Sequence, residues 1–163
     1  MITLVLGGTR SGKSEVAARL AAASGGPVTV VVTAAPSDDA DFSARIAAHR
    51  ARRPPEWATV EETHDVAGVL ERIRGTVLLD ALGTWIANAP EFSVDSRGLC
   101  DALGRRAGDT IVVSDEVGLS VHAPTPVGRR FADAVGSCNQ AVASVSDRVL
   151  LVVAGRTLEM HGP

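Results

Sequence analysis

A glycine-rich octapeptide near the start of the chain constrains its fold more than any other feature. The residues Gly7-Gly8-Thr9-Arg10-Ser11-Gly12-Lys13-Ser14 match the pattern G-x-x-x-x-G-K-[ST]. The apolar run Ile2–Leu6 precedes them, and the Ala- and Leu-rich stretch Lys13–Ala23 follows. A strand, a glycine loop and a helix in this order are typical of P-loop proteins, whose loop N–H groups and helix N-terminus bind phosphate. We therefore predict a P-loop that binds a purine nucleoside triphosphate.

The residue types within the loop match the chemistry of a triphosphate bound with Mg²⁺. Lys13 can bridge the β- and γ-phosphates, and the Ser14 hydroxyl can ligate the metal. Such a loop identifies a ligand and not a reaction, so small-molecule kinases and RecA-like ATPases both remain candidates. The N-K-x-D sequence with which switch GTPases bind guanine is absent from the chain, which argues against that class.

Short apolar runs rich in β-branched residues alternate with helix-like segments along the chain. These runs lack strict alternation, as is typical of strands buried on both faces. The predicted strands are Ile2–Leu6, Val28–Thr33, Thr76–Asp80, Thr110–Ser114 and Arg148–Ala154. The predicted helices are Lys13–Ala23, Asp39–Arg52, Asp65–Arg74 with Gly75 as a candidate C-cap, and one that opens at Thr125-Pro126 and runs towards Ser146. The segment Ala81–Gly108 is predicted to form short helices and loops.

This alternation predicts an α/β fold with a mainly parallel sheet flanked by helices, in a single domain spanning residues 1–163. The net charge of −3 provides no basic field, so we expect no nucleic-acid partner. No run approaches the roughly 20 apolar residues that span a bilayer. Cys100 and Cys138 form no metal-binding or CxxC pattern, and we expect free thiols in a cytoplasmic protein.

Two acids at predicted strand ends are candidate metal ligands. Asp80 closes the run Thr76–Asp80, where a Walker B acid usually lies, and Glu116 follows the run Thr110–Ser114 after Asp115. The carboxyl ends of parallel strands meet beside the P-loop, so either acid could hold Mg²⁺ or its water shell. Either could instead cap the next helix, and both alternatives stay open.

A histidine lies among arginines between the second and third predicted strands. On a helix Arg45, His49 and Arg53 share one face. Guanidinium groups grip polyphosphate, and neighbouring cations keep an imidazole neutral and nucleophilic. His49 could therefore attack the α-phosphorus of a nucleotide and form a phosphoramidate, although a solvated basic helix face explains the spacing more simply. The other histidines have no comparable setting and are predicted at the surface: His64, His122 and His161.

Taken together, these segments resemble the bifunctional adenosylcobinamide kinase / adenosylcobinamide-phosphate guanylyltransferase family of cobalamin biosynthesis. The most specific part of the resemblance is the P-loop combined with Arg45-Ile46, His49, Arg53-Pro54 and Trp57. It covers nearly the whole chain in order, and its other segments include Leu78-Leu79-Asp80, Val113-Ser114-Asp115-Glu116-Val117-Gly118, Arg130-Phe131-Ala132-Asp133, Asn139-Gln140 and Leu151-Val152-Val153-Ala154-Gly155.

The resemblance implies two reactions at one nucleotide site. First, ATP or GTP phosphorylates the hydroxyl of the aminopropanol arm of adenosylcobinamide. Second, GTP gives GMP to a histidine, which corresponds to His49, and the GMP passes to adenosylcobinamide phosphate to make adenosylcobinamide-GDP. The resemblance also implies a RecA-like fold and a homotrimer with active sites near subunit boundaries. The nucleotide-contacting positions that it implies are Gly7, Gly8, Thr9, Arg10, Ser11, Gly12, Lys13, Ser14, Thr33, Ala34, Ala35, Ala51, Arg52, Arg53, Pro54, Glu61 and Asp80.

The chain departs from the family pattern in three places. The family often has Asn where this chain has Asp115, and Thr where it has Gly83, and the region 89–108 is short. Two alternative functions remain beside the bifunctional one. The first is a small-molecule kinase in which the Arg/His segment only binds substrate, and the second is a nucleotide-binding regulatory subunit.

Overall fold

The computed structural model describes residues 1–35, 53–119 and 123–162. The strands in these ranges are β1 (Ile2–Gly7), β2 (Val28–Val32), β3 (Ala58–Glu61), β4 (Thr76–Asp80), β5 (Thr110–Asp115), β6 (Arg148–Val153) and β7 (Arg156–Met160). The helices are α1 (Lys13–Ala23), α2 (Val66–Arg72), α3 (Leu82–Asn88), α4 (Ser96–Arg105) and α5 (Pro126–Val145), with a 3₁₀ turn at Pro90–Phe92.

All seven strands belong to one sheet in the order β3-β2-β4-β5-β1-β6-β7. Six of them run parallel, and β7 pairs antiparallel with β6. The register places Gly7 opposite Asp115, and Asp80 opposite both Val32 and Val113. The carboxyl ends of the central strands therefore meet at one edge of the sheet, and the predicted α/β fold with a mainly parallel sheet is confirmed.

The central strands bury side chains on both faces of the sheet. In β1, Leu4 and Leu6 pack into one cluster with apolar residues of α2, α3, α4 and α5, whereas Val5 packs into a second cluster with Val16 and Ala17 of α1. Successive side chains of a strand point to opposite faces. Two-sided burial therefore produces a continuous apolar run in the sequence, which is the signal that located these strands.

The five predicted strands are observed with their ends shifted by at most one residue. The strands β3 and β7 were not predicted. Both lie at an edge of the sheet, and their side chains are mostly exposed, with every residue of β7 exposed. An edge strand that buries no side chains carries no apolar run, so the pattern that located the central strands could not locate these two.

The predicted helix starts follow the capping chemistry of the sequence. At α5 the Thr125 hydroxyl accepts a hydrogen bond from the Gly128 N–H at 3.0 Å, with Pro126 at the first helical position. Asp65 caps α2 in the same way, because its Oδ1 accepts from the N–H of Gly68 at 3.0 Å. The start of α1 at Lys13 is also confirmed, and the predicted helix over 39–52 lies outside the described residues.

The prediction that Gly75 caps the helix before it is wrong. Helix α2 ends at Arg72, and Ile73 is already extended. Gly75 instead has a φ of 77° in the turn into β4, where a Cβ would lie 2.7 Å from the Pro27 carbonyl oxygen. The segment between β4 and β5 contains α3, the 3₁₀ turn and α4, in agreement with the predicted short helices and loops.

Replacing Arg106 by alanine is expected to lower the free energy of unfolding by about 2–3 kcal/mol. Its guanidinium donates to the carbonyl oxygens of Leu70, Ile73 and Gly75 at 2.6–2.7 Å and to the Thr110 hydroxyl at 2.9 Å, and burial lowers its pKa. Denaturant unfolding measures the effect. The neighbouring Arg105→Ala removes only an exposed ion pair with Glu71 and should cost under about 1 kcal/mol. Equal losses in the two variants would contradict this role.

Cys100 and Cys138 are free thiols, as expected. Burial raises the pKa of both, which disfavours their reactive thiolate forms. In the part of the chain that the structure describes, no helix is both long enough and apolar enough to cross a membrane.

Candidate active site

The P-loop joins β1 to α1 through two glycines that no other residue can replace without strain. Gly12 precedes α1 with a φ of 93°, a left-handed conformation that disfavours side chains. A Cβ on Gly7 would lie 2.4 Å from the Ser11 hydroxyl oxygen and 2.8 Å from the Val152 carbonyl oxygen. The loop closes on itself, because the Ser11 N–H donates to the Gly8 carbonyl at 3.2 Å.

The turn between β6 and β7 supports the P-loop from outside. Ala154 and Gly155 both have positive φ values, of 50° and 73°, as in the two-residue type I′ hairpin turn. The Gly155 N–H donates to the Ser11 carbonyl at 2.8 Å. A Cβ on Gly12 would lie 3.2 Å from the Gly155 Cα, so the two glycines also allow this close approach.

The P-loop lysine is paired with a strand-end carboxylate. Lys13 Nζ lies 2.9 Å from Asp115 Oδ1 and 3.3 Å from the Gly8 carbonyl oxygen. The Lys13 side chain is only 14% exposed, whereas that of Asp115 is 39% exposed. Asp115 ends β5, the immediate neighbour of β1, which explains why its carboxylate reaches the lysine.

Asp80, the predicted Walker B acid, lies one strand further from the P-loop. Strand β5 separates β4 from β1. The Asp80 Oδ2 accepts a hydrogen bond from the Arg53 guanidinium at 3.1 Å, and both side chains are largely buried. The structure therefore brings the predicted Arg53 and Asp80 together as an ion pair.

Glu116 lies directly after β5, and its carboxylate folds back onto its own loop. Its Oε1 accepts from the Gly118 N–H at 2.8 Å, and its Oε2 accepts from the Leu119 N–H at 3.0 Å. Both oxygens are thus engaged in shaping the loop that follows β5. A metal-ligand role for Glu116 stays a prediction.

Thr33 connects the end of β2 to the start of α3. Its hydroxyl donates to the Ala81 carbonyl at 2.6 Å and accepts from the Ala81 N–H at 3.0 Å. Asn88 donates to the Thr33 carbonyl oxygen at 2.7 Å. Because Thr33 is fully buried, its side chain positions the segment after Asp80 and does not face the open site.

A cavity of about 760 Å³ opens at the carboxyl ends of the strands. The predicted site residues that line it are Thr9, Arg10, Ser11, Gly12, Lys13, Ser14, Ala34, Arg53, Asp80 and Glu116. Other described positions of the prediction lie outside its lining: Gly7, Gly8, Thr33, Ala35, Pro54 and Glu61. His49, Ala51 and Arg52 lie outside the described residues. The nucleotide contacts of all these positions stay predictions.

Several lining residues were not among the predicted site residues, and Asp115 is the most consequential. The others are Glu15, Val32, Ala81, Thr84, Val113, Val117 and Phe131. The sequence signal that indicates Glu116 applies equally to Asp115, because both acids follow the apolar run Thr110–Ser114. Phe131 is held by an edge-to-face contact with Phe92 at 5.4 Å between ring centroids, which no sequence pattern indicated.

The donors around this cavity suit Mg²⁺ bound together with a nucleotide. Ser14, Asp80, Asp115 and Glu116 supply hydroxyl and carboxylate oxygens, the ligands that Mg²⁺ prefers. Within residues 1–35, 53–119 and 123–162, no three His, Cys, Asp or Glu side chains cluster closely enough to hold a metal by themselves. Magnesium that keeps several waters and binds partly through substrate phosphates matches such a sparse set of protein ligands.

Comparison with known proteins places the chain among cobalamin-biosynthesis enzymes. Residues 3–160 match the family model described as cobinamide kinase / cobinamide phosphate guanyltransferase. The chain is 40% identical over 171 residues to the bifunctional adenosylcobalamin biosynthesis protein CobP of Pseudomonas aeruginosa, covering 99% of this chain and 98% of that protein. It is 33% identical to the corresponding protein CobU of Salmonella typhimurium over 177 residues, covering 95% of this chain and 97% of that protein.

A solved structure shares the fold at much lower sequence identity. A prototypical ATPase from the type III secretion system of pathogenic bacteria superposes with a TM-score of 0.57 at 10% identity. The match covers 97% of this chain, which spans 56% of that ATPase chain, and it shows the RecA-like P-loop fold alone. The close relatives match over almost their whole length. The chain therefore belongs to the cobinamide kinase / cobinamide phosphate guanyltransferase family.

Proposed function

We propose that this chain carries out both reactions of its family. It transfers the γ-phosphoryl group of ATP or GTP to the aminopropanol hydroxyl of adenosylcobinamide. It then transfers GMP from GTP, through a GMP adduct on His49, to adenosylcobinamide phosphate and so makes adenosylcobinamide-GDP. The observation that carries the proposal is the intact P-loop that lines the strand-end cavity with Lys13, in a chain that matches the family over residues 3–160.

In the kinase step the protein's task is to position groups and balance charge. The substrate hydroxyl oxygen forms a bond to the γ-phosphorus while the bond from that phosphorus to the β,γ-bridging oxygen breaks. The nucleoside diphosphate leaves, and the hydroxyl proton passes to solvent. Lys13 neutralises charge on the β- and γ-phosphates, and the N–H groups at the start of α1 bind phosphate oxygens. Mg²⁺, held by Ser14 and a strand-end carboxylate, would neutralise further charge on the phosphates.

In the guanylyl step the proposed nucleophile is His49. Its imidazole nitrogen would attack the α-phosphorus, with pyrophosphate as the leaving group, and the substrate phosphate would then displace the histidine. Arg53 lies four positions after His49 in the sequence, a span of at most about 14 Å when extended. Since Arg53 lines the cavity and pairs with Asp80, the chain is long enough for the histidine to act at the same site.

Product analysis with adenosylcobinamide and GTP tests the proposal. We expect mass spectrometry to detect adenosylcobinamide phosphate first and adenosylcobinamide-GDP afterwards. If only adenosylcobinamide phosphate accumulates, the result would favour the alternative of a small-molecule kinase without GMP transfer. Nucleotide binding without either product would favour the regulatory subunit. In the same assay with ATP as the only nucleotide, the reactions should stop at adenosylcobinamide phosphate, because only GTP supplies GMP.

Three finer points belong to the proposal. The homotrimeric assembly rests on the resemblance. The single domain over residues 1–163 rests on the length and the strand–helix alternation, and the cytoplasmic location rests on the free cysteines. Adenosylcobinamide and its phosphate are the proposed substrates, and GTP, ATP and Mg²⁺ are the proposed nucleotides and metal.

A further inference from the structure

The three strand-end acids around the cavity have different partners. Asp80 pairs with the Arg53 guanidinium, and Glu116 accepts two backbone N–H groups of its own loop. Asp115 pairs with Lys13, the side chain that a bound triphosphate takes for its own β- and γ-oxygens. Asp115 is therefore the acid whose partner is the P-loop lysine, the cation that binds the β- and γ-phosphates.

The surroundings of Asp115 hold its backbone and leave its carboxylate partly exposed. Asn139 Nδ2 donates to the Asp115 carbonyl oxygen at 2.9 Å, which anchors the end of β5 to α5. On the other side, a Cβ on Gly83 would lie only 2.3 Å from Asp115 Oδ2, so the glycine makes space for the carboxylate. The side chain is 39% exposed and lines the cavity together with Ser14.

We propose that Asp115 is an exchangeable counter-ion of the P-loop lysine. In the free protein it neutralises the mostly buried Lys13 ammonium. When the triphosphate binds, Lys13 passes to the phosphates, and the released carboxylate faces Mg²⁺ alongside the Ser14 hydroxyl. The proposal rests on the proposed triphosphate site, and it adds a positioning residue that acts through Lys13 and the metal.

Charge balance favours the transfer of Lys13 from Asp115 to the phosphates when the triphosphate and Mg²⁺ bind together. A triphosphate carries more negative charge than one carboxylate and so competes well for the lysine. Without Mg²⁺, however, the released carboxylate and the phosphates repel each other in a partly enclosed cavity. With Mg²⁺ the same carboxylate becomes an oxygen donor of the kind the metal prefers. Asp115 should therefore oppose metal-free nucleotide and favour the magnesium complex.

The test is calorimetric titration of GTP into Asp115→Asn, in EDTA and in saturating MgCl₂. The amide keeps the size of the side chain and removes its charge. We expect metal-free GTP to bind about three- to tenfold more tightly than to the unmodified protein. The factor by which Mg²⁺ tightens GTP binding should fall about tenfold or more. Asp101→Asn, an exposed aspartate on α4, removes the same charge and should change neither quantity.

Both effects are required, and the failure of either overturns the proposal. Weaker binding of GTP under both conditions would mean that Asp115 only maintains the site. An unchanged magnesium factor in Asp115→Asn, with a lost factor in Asp80→Asn, would assign the metal to Asp80. Asp115→Ala is a second variant, and it must also raise the affinity for metal-free GTP and lower the factor by which Mg²⁺ tightens GTP binding. Thermal unfolding of each variant checks that it folds. Absence of GTP binding to the unmodified protein would instead refute the proposed function.

Discussion

Replacing Lys13 by alanine is expected to reduce kcat/KM for the triphosphate by about 10²- to 10⁴-fold in both the kinase and the guanylyl reactions. A tenfold loss corresponds to about 1.4 kcal/mol of transition-state stabilisation, so the effect amounts to about 3–5 kcal/mol. The physical reason is that Lys13 occupies the lysine position of the G-x-x-x-x-G-K-[ST] pattern, whose ammonium bridges the β- and γ-phosphates. Its side chain is already held at the cavity at 14% exposure.

Steady-state rates of both product-forming steps measure this effect. Arg19→Ala is the matched control, because Arg19 is an exposed cation on the same helix, and its ion pair with Glu15 one turn away is exposed as well. It should leave both rates within about twofold. Loss of one reaction alone in Lys13→Ala would show that the two reactions use separate nucleotide sites. Unchanged rates would refute the shared P-loop site.

Replacing His49 by alanine is expected to abolish covalent labelling of the protein by α-labelled GTP and to reduce GMP transfer at least about 10³-fold. The adduct should be labile to acid and stable to alkali, as a phosphoramidate is. The kinase step, which uses the γ-phosphorus and Lys13, should keep its rate within about threefold. Gel autoradiography after acid and alkali treatment measures the adduct, and product analysis measures the two rates.

His64→Ala is the matched histidine control. The His64 side chain is exposed and contacts the Thr63 hydroxyl at its Nδ1, while its carbonyl, which accepts from Trp85, is unaffected by the substitution. If labelling survives in His49→Ala and disappears in His64→Ala, the nucleophile is His64 and the proposed role of His49 is wrong. A double displacement also requires net retention of configuration at phosphorus, so inversion with a chiral α-thiotriphosphate would exclude any covalent intermediate.

The sequence was sufficient for the buried part of the sheet and insufficient for its edges. Strands such as β1 and β4 bury side chains on both faces, so a continuous apolar run in the sequence marks their position. The residues of β7 are all exposed, and pairing with β6 through a type I′ turn is what makes them a strand. Such pairing is a property of two segments together, and neither segment shows it alone.

The same distinction holds within the site. The P-loop was recognisable because its glycines, lysine and serine are consecutive in the chain, and the structure accounts sterically for Gly7 and Gly12. Asp115 and Glu116 are adjacent acids at the end of one strand, and the sequence prediction named Glu116 although the acid that meets the lysine is Asp115. Asp115 is the last residue of β5 and reaches Lys13, whereas Glu116 lies in the following loop and accepts hydrogen bonds from that loop's own N–H groups.

The two departures from the family pattern at Gly83 and Asp115 also acquire a common explanation in three dimensions. The Asp115 carboxylate occupies the space that a side chain at position 83 would fill. The contact forms because α3 follows β4 directly and β4 lies beside β5 in the sheet. The two positions are far apart in the sequence, but they are in contact in the folded protein.

By itself the sequence determined the α/β class and the P-loop, and through resemblance the family. Each of these depends on residues close together in the chain or on the order of segments along it. The tertiary structure decided which acid meets the P-loop lysine, because the insertion of β5 between β1 and β4 brings Asp115 to Lys13 and leaves Asp80 with Arg53. Strand order results from the packing of the whole sheet, and no local pattern encodes it.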